Sequence, residues 1–231
     1  MRSILAPLAI ACAASWTSSR AAEPAPETPP AAAILQDGDE IVWHGGEVPL
    51  RPGPGWFALD VVGGLWHLLP ATLKGEQAYD FIIDDSDGVH TGVRLHAAPP
   101  HALLFLRLPG LVAGKVDTPD IRFKDTLRSF VDDMSLPLTF KGRTWRFEVR
   151  DHVLSLTEGR TAMTFGQVVE PDALDDTLAL MWAGDLDRDG RLDFIFEAGT
   201  NNSGEICVWL SSRAKPGEPA GKAACWLTTG C

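Results

Sequence analysis

From Ile34 onward the apolar residues of this chain come in short runs with turn-forming residues between them. "GWFALDVV", "YDFIIDDSDG", "GVRLHA", "ALLFLRL" and "GLVAGKV" are each closed off by Gly, Pro or Asp, the pattern of strands joined by turns rather than of sustained helical faces. The stretch "PLTFKGRTWRFEVRDHVLSLTEGRTAMTF" is the clearest case. Trp145, Phe147 and Val149 alternate there, and hairpin turns are expected at Lys141-Gly142, Arg150-Asp151 and Glu158-Gly159. The spacing predicts a mainly β fold of antiparallel sheets, either a sandwich or an irregular propeller-like arrangement. One short helix is expected in "DTPDIRFKDTLRSFVDDMS", where Ile121, Leu127, Phe130 and Val131 share a face, Asp117 or Thr118 caps the start and Pro119 sits in the first turn. No repeat of fixed period covers the chain.

The N-terminus, "MRSILAPLAIACAASWTSSRAAEP", opens with Arg2, followed by an apolar run from Ile4 to Trp16 and then small residues around Ser19-Arg20-Ala21. Residues 1–21 read as a secretory signal peptide, since the run is short for a membrane span and contains Pro7. A lipid anchor at Cys12, with outer-membrane association, is the alternative. Against it, Ala9 stands where a lipoprotein signal usually has Leu, and the apolar run continues past the cysteine. Residues 22–33, "AEPAPETPPAAA", read as a Pro- and Ala-rich tether. The expected locality is the periplasm or the extracellular space, with no transmembrane segment after the leader is removed.

The formal net charge is −11, and the leader carries Arg2 and Arg20 with no acid, so the mature chain is more acidic still. An acidic surface argues against nucleic acid and against anionic membrane as partners. Cys207, Cys225 and Cys231 remain after the leader. An oxidising compartment permits one disulfide among them, with the pair left open by the spacing. No C-x-x-C pair gives these thiols a zinc-ligand pattern.

The most specific feature is "GDLDRDGRLDFIF", Gly184 to Phe196. Counting from Asp185, carboxylates fall at positions one, three, five and nine (Asp185, Asp187, Asp189 and Asp193), with Gly190 at six. Calcium takes six to eight oxygens, and a loop of alternate Asp residues turns every other side chain inward, while glycine at the sixth place permits a sharp bend. A helix-loop-helix EF-hand would need Glu at position twelve, which is Phe196 here, and helices on both sides. "LDFIFEAG" instead alternates like a strand, with Asp193 at its start.

This D-x-D-x-D-G-x-x-D arrangement resembles the calcium loops of integrin-type FG-GAP and VCBS repeats over Trp182 to Glu197. The resemblance implies a calcium ion held by Asp185, Asp187, Asp189, Asp193 and the carbonyl of Arg191. Families of that kind stack several such repeats into a propeller, whereas this chain has one full copy. "DFIIDDSDGVHTG" offers Asp85, Asp87 and Gly88 only, and reads as a polar hairpin turn. On this basis residues 34–170 are expected to form a β-rich domain, with 171–231 a calcium-loop module packed on the same body.

No catalytic signature accompanies the loop. The histidines (His44, His67, His90, His96, His101 and His152) form no H-E-x-x-H and read as loop or strand-edge residues. G-x-S-x-G and phosphate-binding glycine motifs are absent from the sequence. Eight Trp stand against one Tyr; Trp145 and Trp209 read as core, while Trp43 and Trp66 are candidates for a binding surface. The function expected is a non-enzymatic binding module of the cell envelope, engaging an envelope protein or glycan. Its export signal, β-rich body and single calcium loop are similar to those of certain periplasmic immunity proteins that inhibit hydrolases. The alternative is an enzyme on cell-wall polymer or glycan, with calcium as a structural ion.

Overall fold

The computed structural model describes residues 34–35, 41–85, 88–119, 128–167, 177–200 and 203–229. The expected leader and tether, with Cys12, and also Asp87 and Cys231, lie outside these residues. The strands form three antiparallel sheets, none closed into a barrel.

The first sheet comprises β1 (Ile34–Leu35), β2 (Val42–Trp43), β3 (Trp56–Val62), β4 (Leu65–Ala78), β5 (Gly92–Ala98), β6 (Leu104–Leu106) and β7 (Gly114–Lys115). Its order is β1-β6-β3-β4-β5-β2, with β7 on β4. The long β4 is its spine, pairing with β3 up to Ala71 and with β5 from Thr72. After the two-residue β8 (Arg128–Ser129), the second sheet is a meander of β9 (Ser135–Phe140), β10 (Arg143–Arg150), β11 (Val153–Glu158) and β12 (Thr161–Gln167). A second meander, β13 (Thr177–Gly184), β14 (Asp193–Thr200), β15 (Ser203–Leu210) and β16 (Gly221–Thr229), makes the third sheet, with β8 added on the edge of β13.

Two-residue turns close the second sheet, and their backbone explains their sequences. Lys141-Gly142 and Asp151-His152 have positive φ at both residues, and Gly159 has φ 58° ahead of Arg160, the twist-matched geometries of tight hairpins. The last two turns fall one residue later than the sequence suggests. Register is set by Val149 facing Leu154 and by Trp145 facing Glu158, which puts Trp145, Phe147, Val149, Leu154 and Leu156 on the buried face.

The third sheet lies between the other two. One core packs the first sheet, through Trp56, Leu68 and Phe105, against Trp182, Ile195, Val208 and Trp226. The other packs the second sheet, through Trp145 and Phe147, against Leu180, Phe194 and Phe196. The run Phe194, Ile195, Phe196 is therefore buried residue after residue, as a strand covered on both faces requires. Phe147 is the hub of the second core, with ring centroids 5.2 Å from Phe194, 5.5 Å from Phe130 and 5.7 Å from Phe196.

The described residues hold no α-helix; their one helical turn is 3₁₀, Ser211–Arg213. In the segment expected to be helical, Arg128–Ser129 is strand, and the Phe130 amide donates to the Leu178 carbonyl at 2.9 Å. Phe130 is buried while its neighbour Val131 is 53% exposed. The open edge of β13 thus captures this segment, and alternation of period two prevails there; Ile121 and Leu127 lie outside the described residues. Cys207 and Cys225, directly opposite on β15 and β16 with Cα atoms 4.1 Å apart, form the disulfide. Trp43 belongs to the first core, edge-on to Trp226 at 4.8 Å, rather than to a binding surface.

Candidate functional site

β13 ends at Gly184 and β14 begins at its ladder partner Asp193, so the acidic stretch is the turn between two central strands. Arg188 and Gly190 both take positive φ, 63° and 86°, and the bend brings the chain back on itself. The loop is braced from outside: the Asp185 amide donates to the Asp117 carbonyl at 2.8 Å, and Arg188 donates from Nη2 to the Ala113 carbonyl at 2.8 Å. Arg191 points away, its Nη2 bonded to Glu158 at 2.6 Å and to the Pro219 carbonyl at 3.1 Å.

Asp185, Asp187 and Asp193 converge, each offering a carboxylate oxygen within 4.8 Å of the others. Asp185 and Asp193 are buried, at 3% and 0% exposure. Asp193 accepts at Oδ2 from the amides of Leu186 (2.7 Å) and Asp187 (3.3 Å), and at Oδ1 from the Ser211 amide (2.8 Å). Asp185 accepts from the Gly190 amide at 3.1 Å. Asp189 stands outside the convergence: its carboxylate accepts from the Arg191 amide at 2.8 Å and from Ser211 Oγ at 2.6 Å.

Among the described residues, one side-chain cation reaches this group. Lys141, in the β9–β10 turn, donates to Asp185 Oδ2 at 2.8 Å and lies 3.2 Å from Asp117. Asp185 raises the Lys141 pKa above its ordinary value against the effect of burial, and Asp117 adds to the rise. Lys141 in turn, opposed by burial and joined by Lys115, holds Asp117 below the usual carboxylate range. A single ammonium leaves an excess of negative charge among the three converging carboxylates. Burial, and next the charge of Asp187, push Asp193 up to about 8 against the pull of its amide donors.

The donor set fits a hard divalent ion. All donors are oxygens, without the nitrogen or sulfur that zinc prefers. Two oxygens on opposite sides of calcium lie about 5 Å apart, twice its 2.3–2.6 Å bond, and the 4.8 Å spread falls within that span.

Several contributors have no local signal in the sequence. Asp117 and Lys141 come from two other segments, and Ser211 and Ser212 come from the connection between β15 and β16. The Ser212 hydroxyl donates to Asp187 Oδ2, so both serines of the 3₁₀ turn grip the acidic loop.

A second polar centre lies apart from this one. His44 Nδ1 is 2.5 Å from Asp80 Oδ2, with the Asp80 side chain 2% exposed and that of His44 18%. Asp80 also caps its own turn, accepting from the Ile82 amide at 3.0 Å, and Asp84 accepts from the Asp80 amide at 2.8 Å. The turn so held presents Phe81 and Ile83 to solvent at 76% and 60% exposure. Asp80, through its hydrogen bond, raises His44 above its ordinary 6.5 against burial. Burial pushes Asp80 up, but His44 and the Ile82 and Ile83 amides outweigh it and hold Asp80 below the usual carboxylate range.

The contribution of His44 is therefore complete below about pH 6.5 and lost as pH climbs through its raised value; that of Asp80 is complete above about pH 4 and lost on acidification. The pair holds most firmly between those limits. His44→Gln keeps a donor but no charge, and is expected to cost about 1–2 kcal/mol at pH 5.5, a cost that shrinks as pH climbs through the raised His44 value. Urea unfolding of both proteins over a pH series from 5.5 upward checks this, and a pH-independent difference contradicts it.

No protein-family model, no curated protein and no solved structure matches the chain.

Proposed function

We propose that the chain is an exported calcium-binding protein whose β body serves as a binding module in the cell envelope, in its most concrete form an immunity-type inhibitor of a hydrolase. The observation that carries the reading is the convergence of Asp185, Asp187 and Asp193, two of them buried, at the turn between two central strands. Calcium is the proposed ion, with Asp189 and the Arg191 carbonyl as the further oxygens of the loop. Its role is structural: it offsets the mutual repulsion of the carboxylates and fixes the β13–β14 turn, and with it the Ser211–Arg213 turn.

Two features support the reading. The Cys207–Cys225 disulfide suits the oxidising compartment of an exported protein. The Phe81–Ile83 turn is apolar, exposed and held by part-buried hydrogen bonds of Asp80 and Asp84, which is how a surface anchor for a protein partner is built. The second reading, an enzyme acting on wall polymer or glycan, draws on a cleft beside Trp209. Glycoside hydrolysis ordinarily uses two carboxylates, and Glu218 is the single acid among that cleft's described lining residues.

Calcium titration of the purified mature protein after chelation tests the proposal. A module of millimolar or somewhat tighter affinity gains about 1.4–2.7 kcal/mol at ten to a hundred times its Kd, and the melting temperature should rise by about 3–10 °C. A flat melting curve together with flat calorimetry overturns the calcium reading. Capture from envelope extract by wild type, by chelated protein and by Phe81→Asp tests the binding role; one stoichiometric partner, lost in the last two samples, is the expected result.

A further inference from the structure

We infer that the cleft between the second sheet and the β15–β16 connection binds a carboxylated saccharide. The cleft is about 650 Å³ and runs from β11 and β12 across Trp209 to Arg213, Lys215 and Lys222. This volume lies in the range of small-molecule sites. Acids outnumber bases 31 to 20 in the chain, yet here three cations face one acid, Glu218.

These three cations differ from five others of the second and third sheets. Lys141, Arg143, Arg146, Arg150 and Arg191 all lie within 4.0 Å of a carboxylate. Among the described residues, none does so for Arg213, Lys215 or Lys222. Lys222 instead lies over the Trp209 ring, 5.5 Å from its centroid. An arriving carboxylate offers that ammonium a stronger partner than the ring does and leaves an aromatic surface for the apolar side of a sugar. Trp209 is held in place, packed edge-on to Phe165 at 4.9 Å, and Ser155 and Thr164 line the same space. A densely charged polyanion such as nucleic acid would be repelled by the chain's overall net charge of −11. A short acidic saccharide carries at most about one carboxylate per ring and few charges in all, which suits a small basic cleft on an acidic protein.

The cleft is tied to the acidic loop, and this part of the inference rests on the calcium reading. Arg213 ends the 3₁₀ turn whose Ser211 and Ser212 bond to Asp193, Asp189 and Asp187. Gly221 packs so closely on that turn that a Cβ there would lie 2.0 Å from the Arg213 carbonyl. An ion in the loop thereby fixes where Arg213 stands.

The test is calorimetry, with tryptophan fluorescence as a second readout, on the full mature chain. The probes are a tetrasaccharide of alternating glucuronate and N-acetylglucosamine, its methyl ester as the uncharged counterpart, and trigalacturonate. The acidic probes are expected to bind with Kd at or below about 1 mM, more weakly as salt is raised, and the ester at least about tenfold more weakly. Arg213→Ala combined with Lys222→Ala, both exposed positions, should lose at least about tenfold in affinity while keeping the wild-type response to calcium. Absence of binding by both acidic probes, equal binding of the ester, or an unaffected double variant overturns the assignment of the cleft. Saccharide binding without any calcium response would sink the calcium reading and leave the cleft standing; a calcium response without saccharide binding does the reverse. Equal saccharide affinity in chelated and calcium-loaded protein that melts differently in the two states overturns the link between loop and cleft.

Discussion

Asp193→Ala is expected to cost about 3–5 kcal/mol and to abolish the response to calcium. The carboxylate is fully buried and accepts from three amides, those of Leu186, Asp187 and Ser211. Alanine leaves all three donors without that acceptor in a site water reaches poorly, and each such loss is worth about 1–3 kcal/mol. It also removes one of the three converging oxygens. In a domain of this size each kcal/mol shifts the melting temperature by about 2–4 °C, so a fall of roughly 10 °C is expected. Asn at the same position keeps the shape and one acceptor and should fall between the two. Urea unfolding with and without calcium reads both effects; an Asp193→Ala protein as stable as wild type and still stabilised by calcium would remove this residue from the site.

Phe147→Ala should be comparably damaging, at about 3–5 kcal/mol, for a different reason. The ring is 1% exposed and touches aromatic rings from β12, β14 and the segment after β8. Its removal opens a cavity at the junction of the second and third sheets, where surrounding rings are too rigid to close it. Calcium should still stabilise the variant, because the loop carboxylates are not among its contacts. Phe147→Leu, which keeps more of the volume, should lose less than half as much. A Phe147→Ala protein within 1 kcal/mol of wild type would show that the two sheets do not share a packed core.

What was legible in the sequence was local. Alternation in Trp145, Phe147 and Val149 marks β10, and the Lys141-Gly142 turn stands where its residues place it. Displacement of the next two turns by one residue comes from long-range burial, since Asp and His tolerate positive φ almost as Asn does. The Asp spacing brought Asp185, Asp187 and Asp193 to notice because their convergence is produced within nine residues. Lys141 and Asp117 were not visible, because nothing local to them records that they face the loop. His44 and Asp80, 36 residues apart, escaped for the same reason. Trp209 alternates like a core residue but is half core and half cleft, a division that period-two alternation cannot express. Phe130 and Val131 fit a helical face as well as a strand, and the free edge of β13 decided between them. The order of the three sheets depends on which faces meet, and that information is spread over the whole chain.

The position of the middle layer has a consequence for how the chain is made. A ribosome releases β1 to β12 before β13 to β16, so both outer sheets emerge with their apolar faces uncovered and nothing to pack against. Each of the two cores lacks the residues of β13 to β16 that complete it until those later strands arrive. The polypeptide is therefore expected to stay loose until late in synthesis, which suits the export proposed for it, and then to consolidate in a single cooperative step.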